Sequence, residues 1–418
     1  MVQLSDDCFA FGGRSMAIEE AVALLRERVP VIADAETVSL VAADGRVLAE
    51  DCTARINLPP FSNSAVDGYA VRFADLTPDE ATVLPVTDRI AAGDSALGAV
   101  TARTAARIFT GAPMPVGADT VFMQEDVREL GDGQVSLPPG LKRGANSRQA
   151  GEDAGEGMVV IKGGRRLRPQ DLALAAAVGV RSLRVRRRLR IALFSTGNEL
   201  IEPGKPLRSG AIYDSNRVLL AALLNRLGAE VSDLGIIPDE RSLLAERLAA
   251  AAADHDLILT SGGVSTGDED HVKAAVEAVG RLVVWRLAIK PGRPVAMGLI
   301  GGKPFLGLPG NPVAVYVTLL FVVRPLLARL GGEVYEPSQG EYVTAAFRHR
   351  KRLGRREFVR VSLGLASDGT REARKFPRDG AAMLTSLTES DGLAELHEDQ
   401  AEIVEGDTLR YHPYHALL

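Results

Sequence analysis

The sequence has few cysteines and no segment typical of secretion or of membrane insertion. Its 418 residues include two cysteines, Cys8 and Cys52, without the CxxC spacing of a thiolate metal site. This scarcity argues against a disulfide scaffold and favours a reducing compartment. The first residues carry acids where a signal peptide carries Lys or Arg, and the apolar run 313–323 is shorter than the roughly 20 residues of a membrane helix. We therefore expect a cytoplasmic protein.

An excess of basic charge is also missing, as are several common catalytic motifs. The net charge is −5 and the isoelectric point is near 5.8, which argues against a nucleic-acid binder and against a basic membrane-binding face. The six histidines show no metal-ligand spacing and no HExxH motif occurs, which disfavours zinc catalysis. No GxSxG nucleophile elbow is present.

Length and patterning predict several globular domains. A chain of 418 residues with 46% apolar residues is expected to form two to four domains. Apolar spacing predicts an opening helix over 16–29 that Pro30 ends, and short β-type runs fill 38–160. A helix over 169–178 follows. The arginine-rich stretch 181–190 fits a nucleic-acid patch less well than a half-exposed strand and linker, because its arginines alternate with apolar residues.

From residue 190 to 330, strand and helix patterns alternate. This alternation predicts a mostly parallel sheet with helices on both faces. After Gly331-Gly332 the pattern becomes β-like to the end of the chain. The expected fold class is therefore multi-domain α/β plus β, with a central doubly wound, mostly parallel α/β domain flanked by β-rich domains.

The segment 256–273, DLILTSGGVSTGDEDHVK, carries the strongest chemical signal. A buried strand runs into a glycine-rich loop before a helix, an arrangement in which backbone N–H groups bind an anion. It is neither a Walker A loop nor a dinucleotide fingerprint. Three acids, Asp268, Glu269 and Asp270, follow at once, and they would repel an anion unless a cation such as Mg²⁺ neutralised them. The alternative is a glycine-rich turn with no ligand.

Other strand ends in this region carry polar residues of the same kind. Glu199 and Asp239 each follow a predicted strand, and the alternative for Glu199 is an ordinary solvated loop acid. Asp214 either caps a helix or contacts a ligand. Lys290 and Arg293 flank a Pro-Gly turn that suits an oxyanion, although they could be plain surface charges. In the β-rich part, Asp67, Arg148 and Asp153 lie in glycine-rich turns, where acids are usually just solvated.

A series of motifs in a fixed order resembles the molybdopterin molybdenumtransferase family, which includes the C-terminal part of gephyrin. The motifs extend from Asn63 to Arg360: NSAVDGYA, IFTGAPMPVGADTV, NSRQAGED, STGNEL, IYDSN, TSGGVSTGDED, IKPGRP, LPGNPV and GRREFVR. The resemblance implies molybdenum insertion into adenylated molybdopterin, with molybdate as second substrate. It also implies Mg²⁺-dependent hydrolysis of the adenylate and release of AMP.

The resemblance also implies a set of site residues. Residues matched to functional acids and a hydroxyl are Asp67, Thr110, Asp153, Glu199, Asp239 and Asp270. Glu199, Asp239 and Asp270 are the implied metal ligands. Residues matched to substrate-binding positions are Ser261, Gly262, Gly263, Ser265, Gly267, Asp268, Lys290, Arg293, Pro309, Pro312 and Arg355.

The resemblance further implies domain limits and an assembly. Residues 1–50 with 150–186 form a discontinuous helical, linker and dimerisation domain, and 51–149 form an inserted β-rich domain. Residues 187–332 form the molybdopterin-binding α/β domain, and 336–418 form the C-terminal β domain. An elongated homodimer is implied, in which the C-terminal domain of one subunit completes the site of the other. Contact with the molybdopterin adenylating enzyme and with acceptor molybdoenzymes is part of the same expectation.

The sequence departs from the family pattern where its oxyanion site is expected. Ala381 stands where relatives often have a serine that helps to hold molybdate, and Arg293 replaces a frequent lysine. Two other hypotheses remain. A molybdopterin adenylyltransferase would resemble only 190–330, and a non-catalytic scaffold would not need Glu199, Asp239 and Asp270 beside a glycine loop.

Overall fold

A computed structural model of the chain describes residues 15–94, 99–262 and 271–417. Within these ranges the α-helices are Ile18–Arg28 (α1), Pro169–Ala177 (α2), Ser215–Arg226 (α3), Arg241–Asp254 (α4), His271–Val279 (α5), Pro312–Thr318 (α6), Arg324–Leu330 (α7) and Thr385–Thr388 (α8). A π-helical turn, Leu319–Val323, joins α6 to α7. Short 3₁₀ turns occupy Val41–Ala43, Phe73–Asp75, Gln124–Asp126 and Tyr414–Ala416. The helices predicted over 16–29 and 169–178 correspond to α1 and α2, within about two residues at each end.

The central part of the chain forms a seven-stranded mixed sheet. Its strands, in spatial order, are Ser15–Met16, Gly280–Leu287, Pro294–Ile300, Lys303–Leu308, Leu257–Ser261, Arg190–Thr196 and Glu230–Ile237. The last four are mutually parallel, whereas 280–287, 294–300 and 303–308 are joined as antiparallel neighbours. The predicted α/β architecture is confirmed, with an antiparallel hairpin added to one edge.

Alternate residues of the central strands feed two separate cores. Ile191 and Leu193 point to a core shared with α1, α3, α6 and α7. Ala192 and Phe194 point to the opposite core, which α4 and α5 cover. Because successive side chains of a strand face opposite sides, a continuous apolar run fits a sheet that is buried on both faces.

The residues between α1 and the strand Arg190–Thr196 form mainly β structure. A six-stranded sheet contains Thr120–Met123, Gly68–Val71, Ala105–Ile108, Thr82–Ile90, Gln134–Leu137 and Arg128–Leu130 in spatial order. Small two-stranded pairs are Asn63–Ser64 with Ser147–Arg148, Cys52–Thr53 with Val159–Ile161, and Ala35–Ser39 with Ser182–Arg186.

The C-terminal residues form a closed β-barrel. Its strands are Arg356–Leu365, Arg371–Lys375, Glu341–Ala345, Thr408–Pro413 and Gly392–Leu396, and the last pairs with the first. The strand Ile289–Lys290 of the central region adds to the edge of Arg356–Leu365. The C-terminal part also contains the two-stranded pair His349–Arg350 with Glu402–Ile403. In the central part, Leu200–Ile201 pairs with Ile212–Tyr213. The barrel is therefore attached by backbone hydrogen bonds to the central sheet region.

One helical segment is long and apolar enough to cross a membrane by length and composition. Pro312–Leu330 has 19 residues and a mean hydropathy of 1.9. Most of this segment, 83%, is buried inside the protein, where it packs in the core with α1 and α3. A helix that is apolar on all sides is expected in the centre of a large core.

The arginine-rich stretch is a structural element of the β-rich part. Its residues 182–186 form a strand in which Leu183 and Val185 are buried. Arg187 forms a two-point ion pair with the buried Asp256, with Nη1–Oδ2 and Nη2–Oδ1 distances of 2.6 and 2.9 Å. The backbone N–H of Arg190 donates to the same carboxylate. The half-exposed strand predicted here agrees with the structure.

We predict that Asp256→Asn lowers the free energy of unfolding by about 3 kcal/mol, because it leaves the Arg187 guanidinium without its buried counter-charge. Burial alone would raise the pKa of Asp256, but the Arg187 and Arg190 hydrogen bonds hold it below its usual value. This stabilisation is therefore present above about pH 4 and is lost as the pH falls through the folded-state pKa. Urea denaturation at several pH values measures both effects.

The matched control is Glu50→Gln, which removes the partner of Arg184 in an exposed pair. Exposed pairs contribute little, so we expect a change below about 1 kcal/mol. If Asp256→Asn had the same free energy of unfolding as wild type at pH 7, the ion pair between Arg187 and Asp256 would not stabilise the protein.

Candidate functional site

A cleft of about 290 Å³ lies at the carboxyl ends of the parallel strands. Strands 190–196 and 257–261 end beside it at Thr196 and Ser261. In open α/β sheets, ligands bind at this edge, because the loops that leave the strands converge there. The described residues that line the cleft are Ser195, Thr196, Glu199, Leu200, Ile212, Tyr213, Asp214, Ser215, Asn216, Ser261, Gly262, Gly310, Asn311, Pro312, Ala382 and Leu384.

Two helices begin at this cleft. Ser215 starts α3 and Pro312 starts α6, and both line the cleft. The start of a helix carries partial positive charge, so both ends favour an anionic ligand. In α6, Pro312 has no N–H and the Val313 N–H donates to the Ala381 carbonyl, so this end acts mainly through its dipole. Neither Lys nor Arg occurs among the described lining residues. Helix ends are therefore the main positive charge that these residues offer to a ligand.

The acid at the start of α3 has a structural role. The Asp214 carboxylate caps the helix, accepting from the Arg217 N–H at 3.2 Å and from Arg217 Nε at 2.9 Å. Arg217 is itself buried and also pairs with Asp233 and Glu202. Of the two interpretations that the sequence left open for Asp214, helix capping agrees with these contacts.

The side chain of Asn216 ties three parts of the cleft together. Its amide nitrogen donates to Ser261 Oγ at 2.9 Å and to the Gly310 carbonyl at 2.7 Å. Ser261 Oγ in turn donates to the Pro309 carbonyl at 3.3 Å. The hydroxyl of Ser261 thus holds the loop after its strand against the 309–312 loop, and Pro309 contributes through its carbonyl.

Gly262 is required by the backbone geometry of the predicted anion loop. Its φ is +89°, and a Cβ atom there would lie 2.9 Å from the Thr196 carbonyl oxygen. Only glycine accommodates this close crossing of two strand-end loops. The other predicted residues of this loop, namely Gly263, Ser265, Gly267, Asp268 and Asp270, lie outside the described residues.

Glu199 and Asp239 follow neighbouring parallel strands. Glu199 lines the cleft, and its carboxylate folds back over Gly197, where a Cβ atom would lie 2.6 Å from Glu199 Oε2. Thr196 Oγ1 donates to Asp239 Oδ1 at 3.4 Å, which places Asp239 at the same edge. Carboxylate and hydroxyl oxygens are suitable ligands for Mg²⁺. Among described residues, no group of three His, Cys, Asp or Glu side chains is arranged to hold a metal ion, and the third expected ligand, Asp270, is not described.

Asp67, Thr110 and Asp153 do not line the cleft. Asp67 Oδ1 accepts from the Thr110 N–H at 2.8 Å and from Thr110 Oγ1 at 2.7 Å. These hydrogen bonds lower the pKa of Asp67, so its carboxylate is charged at neutral pH. Asp153 is exposed on a separate turn, where its N–H donates to the Leu58 carbonyl. The structure thus joins Asp67 to Thr110 but brings neither to the cleft of the same chain.

The predicted basic loop lies beside the barrel. Lys290 Nζ is 3.1 Å from Glu357 Oε2, and His349 Nε2 is 3.0 Å from the same oxygen. Burial would raise the pKa of Glu357, but its bonds to His349 and Lys290 hold it below the usual value. Arg293 is exposed and Arg355 is half-buried next to the strand that pairs with Lys290. The charge of Lys290 is therefore partly neutralised. Lys290, Arg293 and Arg355 do not line the cleft.

The C-terminal region contributes to the cleft within the same chain. Ala382 and Leu384 line it, and the Ala381 carbonyl accepts from the Val313 N–H at 2.9 Å. The expectation that a partner's C-terminal domain completes the site concerns the dimer and stays a prediction. Sequence analysis missed Ala382, Leu384, Tyr213 and Asn311. Tyr213 and Asn311 lie in the IYDSN and LPGNPV motifs, whereas nothing in the local pattern marks Leu384.

The fold and cleft define a small-molecule-binding enzyme built on a central α/β sheet. Three family models match the chain: MoeA N-terminal region (domain I and II) over residues 16–179, probable molybdopterin binding domain over 192–329, and MoeA C-terminal region (domain IV) over 342–414. A molybdopterin molybdenumtransferase of Haemophilus influenzae is 37% identical over 404 residues, covering 96% of this chain and 100% of that protein.

Two further similarities agree. Molybdopterin molybdenumtransferase 2 of Mycobacterium tuberculosis is 36% identical and covers 90% of this chain and 94% of its own length. The crystal structure of a molybdopterin biosynthesis moeA protein from Pyrococcus horikoshii OT3 has a TM-score of 0.81 at 30% identity, covering 96% of this chain and 100% of that one. The chain belongs to the molybdopterin molybdenumtransferase family. It is a transferase with a role in molybdenum cofactor biosynthesis.

Proposed function

We propose that this enzyme inserts molybdenum into adenylated molybdopterin, with hydrolysis of the adenylate and release of AMP. The supporting observation is the cleft at the strand ends, where two helix N-termini meet beside the Glu199 carboxylate. The helix ends suit the phosphate groups of the substrate. A carboxylate close to a phosphate requires a cation between them. Glu199 and Asp239, with Asp270, would hold Mg²⁺, which would neutralise phosphate charge when bound.

The other predicted residues have narrower proposed roles. We assign Ser261, Gly262, Pro309 and Pro312, with Gly263, Ser265, Gly267 and Asp268, to binding of the pterin substrate. Lys290, Arg293 and Arg355 are assigned to molybdate. The net charge of −5 favours small-molecule substrates over nucleic acid or a membrane surface. A cytoplasmic location is part of the same proposal. Contact with the adenylating enzyme and with acceptor molybdoenzymes completes the proposal.

Growth complementation separates this proposal from the two alternatives. The chain, expressed in a bacterial strain that makes adenylated molybdopterin but cannot insert molybdenum, should restore molybdoenzyme activity. A strain that lacks only the adenylating step should not be rescued. The reverse pattern would favour an adenylyltransferase, and rescue of neither strain would favour a scaffold.

We predict that Glu199→Gln lowers the rate of AMP release by at least about tenfold, a loss of about 1.4 kcal/mol of transition-state stabilisation. The substitution keeps the shape of the side chain and removes the charge that would hold the cation. AMP release from adenylated molybdopterin, followed over a range of Mg²⁺ concentrations, measures the effect. The control is Glu202→Gln, because Glu202 lies three residues away and pairs with Arg217 outside the cleft. Undiminished AMP release by Glu199→Gln would remove Glu199 from the mechanism.

The position of Asp67, Thr110 and Asp153 supports a homodimer with shared sites. Because these residues do not line the cleft of their own chain, they can act there only from a second copy. We therefore predict a solution mass twice the 44.4 kDa of the chain. Mixing Asp67→Asn and Glu199→Gln chains, each of which should have little activity alone, should restore about a quarter of wild-type activity, because half of the dimers contain one intact site. A fully active monomer, or no recovery on mixing, would contradict shared sites.

We also predict that Ala381→Ser tightens molybdate binding by about tenfold, since a hydroxyl bonded to a charged oxyanion is worth about 1.5–3 kcal/mol. Ser386 is not a substitute donor, because its Oγ donates to the Met383 carbonyl at 2.6 Å. The other nearby hydroxyl, that of Thr385, is exposed. Calorimetry at fixed ionic strength compares wild type, Ala381→Ser and the neighbouring control Ala382→Ser. Equal affinities would show that another donor already occupies this place.

A further inference from the structure

Arg89 and Arg107, here called the arginine pair, lie side by side on the six-stranded sheet. Neighbouring parallel strands place them in register, and within the described ranges neither guanidinium forms an ion pair with a carboxylate. The Asp88 carboxylate accepts from the backbone N–H of Arg89. Arg107 donates to the Gly68 carbonyl at 3.3 Å and to Gln124 Oε1, which are neutral oxygens. Since like charges on neighbouring strands repel, the arginine pair weakens the sheet unless an anion binds there.

Two aromatic rings hold the arginine pair in place. Both guanidiniums lie over the ring of Phe109, with distances from Cζ to the ring centre of 4.6 Å for Arg89 and 5.1 Å for Arg107. Arg107 also lies 5.0 Å from the centre of the Tyr69 ring. A cation is attracted to the face of an aromatic ring, so these contacts orient the guanidiniums without neutralising them. The result is a positively charged surface with fixed donors.

The arginine pair is continuous with the hydrogen-bonded pair of Asp67 and Thr110. Phe109 directly precedes Thr110, and Arg107 bonds to the carbonyl of Gly68, which directly follows Asp67. The hydrogen bonds from Thr110 lower the pKa of Asp67, and the nearby charge of Arg107 lowers it further. A ligand that reaches Asp67 and Thr110 therefore also meets the arginine pair.

The chemistry of this surface suits a nucleotide better than a bare oxyanion. A guanidinium binds phosphate oxygens through paired N–H groups, and its flat face stacks on an aromatic ring. A purine nucleotide offers both a phosphate and a flat ring, whereas inorganic phosphate offers only charge. The Asp67 carboxylate repels an isolated dianion but can accept from the amino group of adenine. These residues together favour an adenine nucleotide.

We propose that Arg89 and Arg107 bind the adenylate part of the substrate in the cleft of a second copy of the chain. The inference rests on the proposed shared sites, in which Asp67 and Thr110 act in the cleft of the other subunit. The described lining of the cleft includes neither Lys nor Arg. The arginine pair supplies that missing positive charge, and the bound phosphate relieves the repulsion between the two guanidiniums.

Equilibrium binding of AMP to the whole protein tests this proposal without catalysis. We expect Arg89→Gln and Arg107→Gln each to raise the Kd for AMP by about tenfold, because each removes charge-assisted hydrogen bonds to the phosphate. Adenosine, which has no phosphate, should lose less affinity in the same variants. The control is Arg143→Gln, which changes an arginine near the same sheet that pairs with Asp119 at 2.8 Å.

Two further measurements make the binding result decisive. Arg89 is exposed, so Arg89→Gln should keep the thermal midpoint of wild type within about 2 °C, and lost binding would then not reflect misfolding. Inorganic phosphate should bind wild type at least about tenfold more weakly than AMP does. Equal affinities of phosphate and AMP would overturn the assignment to a nucleotide. No AMP binding by wild type, or unchanged AMP affinity in both arginine variants, would overturn the proposal.

A mixing experiment tests whether the arginine pair acts in the cleft of the other subunit. At low concentrations of adenylated molybdopterin, a mixture of Arg107→Gln and Glu199→Gln chains should release AMP faster than either variant alone, because half of the dimers contain one site with both residues intact. No gain on mixing would contradict action between subunits. If wild type released no AMP, the proposed function would fail, and the AMP-binding data would still decide the role of the arginine pair.

Discussion

The parallel pairing of strands 190–196, 257–261 and 303–308 is the constraint from which the cleft follows. Because the three strands run in the same direction, their carboxyl ends finish at one edge, and Ser195 pairs with Ser261, which pairs with Leu308. Loops that are far apart in sequence are thereby forced together. Asn216 then joins two of them to the start of α3 through hydrogen bonds to Ser261 and Gly310. Because these loops lie so close together, Glu199 is placed at the cleft and position 262 requires glycine.

The charge distribution explains why the cleft suits a phosphorylated ligand together with a cation. The described lining residues include acids but neither Lys nor Arg, and Asp214 is already neutralised by Arg217. Positive potential therefore comes from the N-termini of α3 and α6 and from any bound divalent cation. None of the cations expected to bind an oxyanion, Lys290, Arg293 and Arg355, lines the cleft, and Glu357 holds Lys290 beside the barrel. Phosphate and oxyanion recognition are therefore assigned to different side chains.

Local pattern predicted the elements well and the contacts between distant elements poorly. Apolar spacing located the helices, and the strand–helix alternation gave the α/β class, because both depend on neighbouring residues. The motif IYDSN identified the start of α3, but it did not show that Asn216 would bond to Ser261 and Gly310. The wall formed by Ala382 and Leu384 could not be predicted, because it depends on the barrel folding back onto α6. The pairing of Lys290 with Glu357 was missed for the same reason, since the two residues are 67 positions apart.

The central claim is that the cleft between Glu199, Asn216 and Leu384 binds the phosphorylated pterin. A crystal structure of the protein grown with adenylated molybdopterin and Mg²⁺ tests this claim most directly. The account predicts ligand density at the strand ends, with phosphate oxygens within hydrogen-bond distance of the first turns of α3 and α6 and with a metal ion bound to Glu199. Ligand density in another cavity, such as the arginine-lined crevice beside Arg166 and Arg186, with the strand-end cleft empty, would contradict it.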